Sequence, residues 1–375
     1  MSMLFLNIRL GHARLLAVIL TAISTLLTVW TLLWAMVSGS SASITAIAHS
    51  SQPISHVTGS GALSMACPAI SPIQTFPAGP GPIAVAFDGI NIWVSNYFSG
   101  STPYTTTTVL RPSDGFQVMT PTVGLSPRGM AYDGSNMWVA NSNSFTVNVL
   151  RASDGFHVMT PTVEIGPDFP TYDGQYMWVA NTNYGTVSVL RASDGYPVIT
   201  PTIGENPRGM AFDGENIWIT SGADNTVGVL HLDDAVTPTI SYVMSLTVGS
   251  LPGGMAFDGT NMWVVNSADD TVSVLRASDG AHVMTPTVGS FPASIVYDGT
   301  HMWVTNSGAG SGNTVSALRV ADGTLAGICI AGNWPSGIAF DGSNIWVANY
   351  SDDTVSKIPV MTTLTNKVYL PLIVR

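Results

Sequence analysis

Charged side chains are scarce in this 375-residue chain. Asp, Glu, Lys and Arg make up 9% of it, against about a quarter in an ordinary globular protein, and lysine occurs only as Lys357 and Lys367. The remaining charge is acidic: the formal net charge is −11, and residues 49–375 hold 10 basic and 23 acidic residues, a balance of −13. Such a balance argues against nucleic acid and anionic lipid surfaces as partners.

Cysteine is equally scarce, because Cys67 and Cys329 are the only two. One disulfide between them would fit an oxidising compartment. Two free buried thiols are the alternative interpretation, and the sequence leaves both open.

Motifs of catalysis and metal binding are missing as well. The chain contains no Gly-x-Ser-x-Gly, no His-Glu-x-x-His and no phosphate-binding loop, the patterns of hydrolases, zinc peptidases and nucleotide-binding enzymes. The acidic pairs Asp269-Asp270 and Asp352-Asp353 lack the Asp-x-Asp-x-Asp spacing of a calcium loop. We therefore expect no cofactor, no metal and no enzymatic activity.

One long apolar run occurs, near the N-terminus. Arg9 and Arg14 precede the uncharged residues 15–37, and Ala46-Ile47-Ala48 ends the small polar stretch that follows. Residues 1–48 are therefore predicted to be a signal peptide, or alternatively a transmembrane anchor helix. Either one places the rest of the chain outside the cytoplasm, because the arginines hold the N-terminus inside. Residues 49–71, rich in Ser, Pro and Ala, are predicted to be a linker.

A repeat fills the rest of the sequence. Its most regular residue is a tryptophan between apolar neighbours, and successive copies are 40 to 45 residues apart. The seven copies are Trp93, Trp138, Trp178, Trp218, Trp263, Trp303 and Trp346. This period, with four strand-like runs per copy and no helical pattern, is typical of β-propeller blades. We predict an all-β fold over residues 72–360, a seven-bladed β-propeller of four-stranded antiparallel blades, followed by an apolar tail over 361–375.

The turn residues divide each repeat into strands. In the copy around Trp138, Asp133-Gly134 and Asp154-Gly155 are pairs that tolerate positive φ and close hairpins. They predict strands A to D at residues 129–132, 136–140, 146–150 and 157–163. We expect Trp138, Trp178 and Trp263 to be buried between neighbouring blades.

The residues after each tryptophan resemble a known repeat. Trp303-Val304-Thr305-Asn306 and the five Trp-Val-Ala-Asn, Trp-Val-Val-Asn or Trp-Val-Ser-Asn copies are similar to the Tyr-Val-Thr-Asn signature of the YVTN-type β-propeller repeat family. Residues 313–316 and the prolines before strand A also resemble that family, namely Pro127, Pro207, Pro252, Pro292 and Pro335. The chain departs from it with Trp in place of Tyr, and with Ser221 where other copies have Asn. Over residues 72–360 this resemblance implies a surface-layer, periplasmic or other binding propeller, and no particular ligand.

Two segments compete to supply the outer strand of blade seven. Residues 72–79 resemble the end of a strand D, whereas residues 367–371 lie where the last repeat would place that strand. We favour 72–79, paired with the strand at 354–358, because joining both chain ends in one sheet is a common way to close a propeller.

The function of such a fold depends on its loops. The B–C and D–A connections of every blade lie on one face, called the loop face below, and the A–B and C–D turns lie on the opposite turn face. The loop face of blades six, seven and one carries two B–C insertions, between Asn96 and Thr106 in blade one and between Asn306 and Thr314 in blade six. It also carries these aromatic residues: Tyr97, Phe98, Tyr104, Trp334 and Tyr350. Exposed rings there predict a site for a protein or a glycan. Alternatively, the loops fold back and the rings pack locally.

A charged group belongs to the same face. Arg128, Asp168 and Arg208 occupy equivalent D–A positions in successive blades. Two guanidinium groups beside one carboxylate suit an anionic ligand, and a structural ion pair between blades is the competing interpretation.

Three classes of function remain. We favour an exported or secreted cell-envelope scaffold that acts as a monomer, binds a protein or glycan through its loop face, and touches the membrane only through its N-terminal segment. A carbohydrate-binding or small-ligand-binding module is one alternative. The other is an enzyme like a lactonase or a streptogramin lyase, a propeller class that resemblance associates with His and Glu at the mouth of the channel. Here only Glu164 and Glu205 lie at that mouth.

Overall fold

The computed structural model describes residues 67–68, 72–99, 102–233 and 238–360. The predicted signal peptide or anchor, most of the linker and the tail 361–375 lie outside these ranges. In the described ranges, no helix has the length and apolarity needed to cross a membrane. The helical element described there is a 3-10 turn, Gly308–Gly310.

The described chain forms seven four-stranded antiparallel sheets, one per repeat. The A strands of blades one to seven are β2 (Pro82–Phe87), β6 (Pro127–Tyr132), β10 (Pro167–Tyr172), β14 (Pro207–Phe212), β18 (Pro252–Phe257), β22 (Pro292–Tyr297) and β26 (Pro335–Phe340). The B strands are β3 (Ile92–Ser99), β7 (Asn136–Asn141), β11 (Tyr176–Asn181), β15 (Ile217–Ser221), β19 (Asn261–Asn266), β23 (His301–Asn306) and β27 (Asn344–Asn349).

The outer half of each blade has the same regularity. The C strands are β4 (Thr102–Leu110), β8 (Thr146–Arg151), β12 (Thr186–Arg191), β16 (Thr226–Asp233), β20 (Thr271–Arg276), β24 (Thr314–Arg319) and β28 (Thr354–Pro359). The D strands are β5 (Gln117–Met119), β9 (His157–Met159), β13 (Pro197–Ile199), β17 (Thr239–Thr247), β21 (His282–Met284), β25 (Leu325–Ile330) and, in blade seven, β1 (Gln74–Pro77).

The A strands form the inner ring of the propeller. Each contacts the A strands of the two neighbouring blades, and β26 contacts β2, so the ring is closed. The approach is tight enough to require small residues: a Cβ added to Gly209 would lie 2.1 Å from the carbonyl oxygen of Gly253. The predicted seven-bladed all-β propeller is confirmed.

Blade seven is completed by the N-terminal segment. Strand β1 pairs antiparallel with β28, and the register joins Gln74 to Lys357 and Pro77 to Thr354. The prediction for residues 72–79 is therefore confirmed. The alternative, closure by residues 367–371, is wrong because β1 occupies that edge of the sheet.

A disulfide lies beside this closure. Cys67 and Cys329 are bonded across a sequence separation of 262 residues. Cys329 is fully buried in β25, and the cluster around it includes Ile338 and Ile73. The bond therefore ties the chain preceding β1 to the outer strand of blade six.

The repeated tryptophans are core residues. The relative exposure of all seven side chains is 1% or less, which confirms the prediction for Trp138, Trp178 and Trp263. Each indole Nε1–H also donates to the Asp of the preceding Asp-Gly turn, at 2.6 to 2.7 Å. The aspartate therefore fixes the orientation of a ring that the hydrophobic core alone would only bury.

The asparagine of the Trp-Val-Ala-Asn motif is structural too. Asn141 is fully buried, and its Nδ2 donates to Thr146 Oγ1 at 3.1 Å and to Asn148 Oδ1 at 2.8 Å. These bonds tie the end of strand B to strand C of the same blade.

Strand D is shorter than predicted. In blade two it spans His157–Met159 rather than 157–163, and Thr162 forms only an isolated bridge with Thr146. Pro161 lies between Met159 and Thr162, and it lacks the backbone N–H that a continuous ladder of hydrogen bonds requires.

Candidate functional site

The loop face is built around one turn that recurs in every blade. The residue before the proline that starts strand A has a positive φ, between 47° and 74°. The seven residues are Gly81, Ser126, Gly166, Asn206, Leu251, Phe291 and Trp334. Side chains at this position thus range from none in two blades to a tryptophan in blade seven.

In blade seven, hydrogen bonds fix both the N–H and the carbonyl group of the residue at this position. The Trp334 N–H donates to the Gly312 carbonyl at 2.8 Å, and its own carbonyl accepts from the Tyr350 N–H at 3.0 Å. A left-handed conformation costs a non-glycine residue roughly 1–2 kcal/mol. Such a cost is maintained only where the surroundings determine the backbone, as they often do at functional sites.

Trp334 and Tyr350 form the first part of the candidate site. Their ring centroids are 4.7 Å apart, and Trp334 remains 37% exposed. The insertion of blade six lies against this tryptophan, because a Cβ on Gly310 would be 3.3 Å from its ring. Burial, and next the neighbouring Tyr97, raise the pKa of the Tyr350 hydroxyl above its usual value.

Tyr97 and Arg128 continue this surface across blades one and two. The Arg128 guanidinium lies over the Tyr97 ring, 5.0 Å from its centroid, in a cation–π geometry. Arg128 also acts on Tyr350, since it opposes the rise of that pKa. The structure therefore places Tyr97 of the predicted aromatic group against Arg128 of the predicted charged group, with Tyr350 within electrostatic range of both.

Arg128 and Asp168 form an ion pair between blades two and three. The Arg128 Nε atom is 3.1 Å from Asp168 Oδ2, but its N–H points at no acceptor, so the attraction is mainly electrostatic. The Asp168 side chain is only 4% exposed, and its Oδ1 accepts from the backbone N–H groups of Gly129 and Phe169. Asp168 therefore acts structurally, between two blades.

Arg208, the third member, has a different environment. It is half-buried, and among the described residues it has neither a hydrogen bond nor an ion pair at close range. Burial, and next repulsion by Arg128, lower the pKa of Arg208 below its usual value, while Asp168 opposes that change. The Arg208 guanidinium group is therefore attracted by Asp168 but forms no ion pair or hydrogen bond with the described residues.

Two other residues of the predicted aromatic group, Tyr104 and Phe98, are not shown to contact the rest of it. Tyr104 is half-buried in β4, and its carbonyl accepts from the Ser126 N–H at 2.9 Å. No ring contact joins it to the other aromatic side chains that the structure describes. Phe98 belongs to β3, but its side chain lies outside the described part of the chain.

Sequence reasoning missed Leu251 and Phe291. They occupy the left-handed position of blades five and six, both half-buried, so three consecutive blades carry a large apolar side chain at this turn of the loop face. Aligning the residue before each strand-A proline would have revealed them.

The acidic residues of the B–C loops brace the same turns. Asp353 Oδ1 accepts from the Gly81 N–H at 2.8 Å, and Asp270 Oδ1 accepts from the Phe291 N–H at 2.7 Å. Within the described ranges, no group of three acidic, His or Cys side chains has the geometry to hold a metal ion.

Two pockets and the histidines lie on the turn face. One pocket lies between blades three and four beside Tyr176 and Phe212, and the other between blades four and five beside His231. The described propeller histidines are His157, His231, His282 and His301, which begin strand D, end strand C or begin strand B. None of these features adjoins the surface formed by Trp334, Tyr350, Tyr97 and Arg128.

Comparison with known proteins establishes the fold and little more. No family model matches the chain and no curated protein does, so the YVTN resemblance remains a prediction. Three similar solved structures each have a TM-score of 0.61. The hydrazine synthase of Kuenenia stuttgartiensis is 16% identical, and the match covers 75% of this chain and 96% of that one. A streptogramin B lyase is 17% identical with 76% and 96% covered, and the virginiamycin B lyase of Staphylococcus aureus is 16% identical with 77% and 99% covered. At these identities the similarity concerns the propeller fold alone.

Proposed function

We propose that the protein is an exported binding propeller that recognises a protein or glycan of the cell envelope through its loop face. The observation that carries this proposal is the surface formed by the Trp334–Tyr350 ring pair and the Tyr97–Arg128 cation–π pair, which interact electrostatically through Tyr350. Half-exposed aromatic and arginine side chains on a rigid frame are the residues that most often dominate binding energy.

Two observations support an extracytoplasmic location. The Cys67–Cys329 disulfide persists in oxidising compartments, and both cysteines of the chain are used in it. Residues 1–48 have the composition of an export signal or anchor, and they provide the protein's contact with the membrane under this proposal. The propeller acts as a monomer.

The test removes the Trp334 ring without disturbing the turn. Trp334→Gly keeps the left-handed backbone that Gly81 and Gly166 adopt at the same position. We expect at least about a tenfold loss of affinity on an array of envelope glycans and envelope proteins, as for a hot-spot residue, with a melting temperature close to that of the wild type.

Phe156→Ala is the matched control. Phe156 is 61% exposed at a C–D turn, where Arg151 lies 4.9 Å from its ring centroid, so the variant removes an exposed aromatic ring from the opposite face. It should bind as the wild type does. Full affinity in Trp334→Gly, combined with a melting temperature several degrees lower, would assign Trp334 to the core and end the proposal.

A lyase-like enzyme is the second candidate, favoured by the fold similarity to the two lyases. Against it, the described propeller histidines begin or end strands at the turn face, away from the proposed surface. The test is incubation of the purified protein with a streptogramin B. Catalytic loss of that substrate, abolished by a loop-face substitution such as Glu205→Gln, would favour the enzyme over the binding propeller.

A further inference from the structure

Positive charge is distributed unequally between the two faces. Arg111, Arg151, Arg191 and Arg276 each lie at or directly after the end of a strand C, 2.6 to 3.0 Å from the aspartate three residues later. Arg319, at the same position of blade six, donates to Thr324 in its own turn. These arginines of the turn face are therefore satisfied locally, and the loop-face arginines of the described residues are Arg128 and Arg208.

The loop-face pair has one carboxylate for two guanidinium groups. Asp168 is already engaged by Arg128 and by two backbone N–H groups. Arg208 remains half-buried without a close partner in the described residues. A partly desolvated charge without a close partner is unfavourable, and among the described residues the carboxylate that attracts Arg208 is Asp168, which forms its ion pair with Arg128 instead. An anion from outside would provide the missing partner.

The equivalent positions of the next three blades carry no acidic side chain. The residues directly after the strand-A proline there are Gly253, Ala293 and Ser336. Gly253 belongs to the blade next to Arg208, and none of the three offers the carboxylate that a guanidinium group pairs with best.

The surface that leads away from the arginines is aromatic. Tyr97 lies under Arg128, and Tyr350 and Trp334 follow in blade seven. Aromatic side chains offer flat apolar faces that sugar rings cover, and their polar edges suit sites that are partly wet. A ligand that extends from Arg208 along this surface therefore carries both a carboxylate and a sugar ring.

From this arrangement we infer that the loop face binds an acidic glycan, with the carboxylate of a uronic-acid residue at Arg208 and Arg128 and neighbouring sugar rings against Tyr97, Tyr350 and Trp334. The inference rests on the proposed function and adds the chemical class of the ligand.

The test compares two probes that differ mainly in charge, tri-galacturonate and its fully methyl-esterified form. Titration calorimetry should show binding of the acid to the wild type and at least about tenfold weaker binding of the ester, the size of effect expected when a charged hydrogen-bond partner is removed. Tri-galacturonate should also protect Trp334 from acrylamide, because Trp334 is the exposed tryptophan of the described residues.

Single substitutions then test whether Arg208 provides the positive charge that binds the carboxylate. Arg208→Gln should weaken binding of tri-galacturonate at least about tenfold and remove its advantage over the ester, with the fold preserved because Arg208 forms no close bond in the described residues. Arg276→Gln, which removes the same charge from the turn face, should change neither affinity. Arg128→Gln is unsuitable because it would leave Asp168 buried without its cation.

Three other results would each contradict the inference, and they differ in what they imply for the proposed function. If acid and ester bind equally and Trp334→Gly weakens both, the loop face binds glycans but has no carboxylate site, and the proposed function stands. If tri-glutamate binds more tightly than tri-galacturonate, the site belongs to an acidic peptide. If neither galacturonate probe binds, the ligand class is wrong, and the array experiment alone decides the proposed function.

Discussion

At the scale of the residue, the aspartate of each Asp-Gly turn serves two structures at once. Asp133 Oδ1 accepts from the N–H groups of Ser135 and Asn136, and Oδ2 accepts from the Trp138 indole. Its recurrence before each tryptophan was visible in the sequence. Its bond to the indole was not, because turn propensity explains the Asp-Gly pair without any partner for the second oxygen.

This double role predicts that Asp133→Asn and Trp138→Phe are coupled. Trp138→Phe removes the indole donor, and Asp133→Asn leaves one neutral oxygen where two charged ones accept from the indole and from two backbone N–H groups. Either change therefore disrupts the bond between Oδ2 and Nε1, and a hydrogen bond to a charged group contributes about 1.5–3 kcal/mol. A double-mutant cycle measured by urea unfolding should therefore give a coupling free energy of about that size. Asp154→Asn, on an exposed C–D turn beside Arg151, is the control and should change stability little. Additive effects of the two core changes would contradict the role of the bond.

At the scale of the element, strands were predicted correctly where the Asp-Gly turns and the apolar residues between them define both ends. The predicted B and C strands of blade two end within a residue of those observed, at Asn136–Asn141 and Thr146–Arg151. Strand D was overextended through Pro161. The contact of Arg128 with Tyr97 could not be predicted, because it joins two blades and depends on their relative rotation, which no local pattern encodes.

The left-handed D–A turn makes a prediction of its own. Trp334→Ala keeps the unfavourable φ of +53°, whereas Trp334→Gly removes the strain and the same ring. We expect the glycine variant to be more stable by about 1 kcal/mol, measured by chemical denaturation. A glycine variant that is less stable than the alanine variant would show that this turn is relaxed.

At the scale of the whole molecule, stability depends on how the ring is closed. Strand β1 joins both ends of the described propeller in one sheet, and the disulfide crosses the neighbouring seam. Repeat counting predicted that one end must supply this strand. The pairing of the cysteines required the folded path of the chain, because spacing alone fits free thiols as well.

Loss of the disulfide should therefore destabilise the propeller. In the chain-entropy description, a bond that closes a loop of 262 residues contributes up to about 5 kcal/mol. Cys67→Ser should melt well below the wild type. Reductant should lower the wild-type melting temperature toward that of the variant and leave the variant unchanged. Equal melting temperatures in oxidised and reduced wild type would show that the bond adds nothing to the closure.

The pairing of Gln74 with Lys357 also orders the events of synthesis. Residues of β1 leave the ribosome before any blade exists, while β28 is made after six blades are complete. Until then β1 has no sheet to join, and a nascent chain can only be an open arc with an unprotected strand edge. We therefore expect the meeting of the earliest and latest strands to be the slowest step of folding, and a chain that stops before residue 354 to present an aggregation-prone edge rather than to form a smaller propeller.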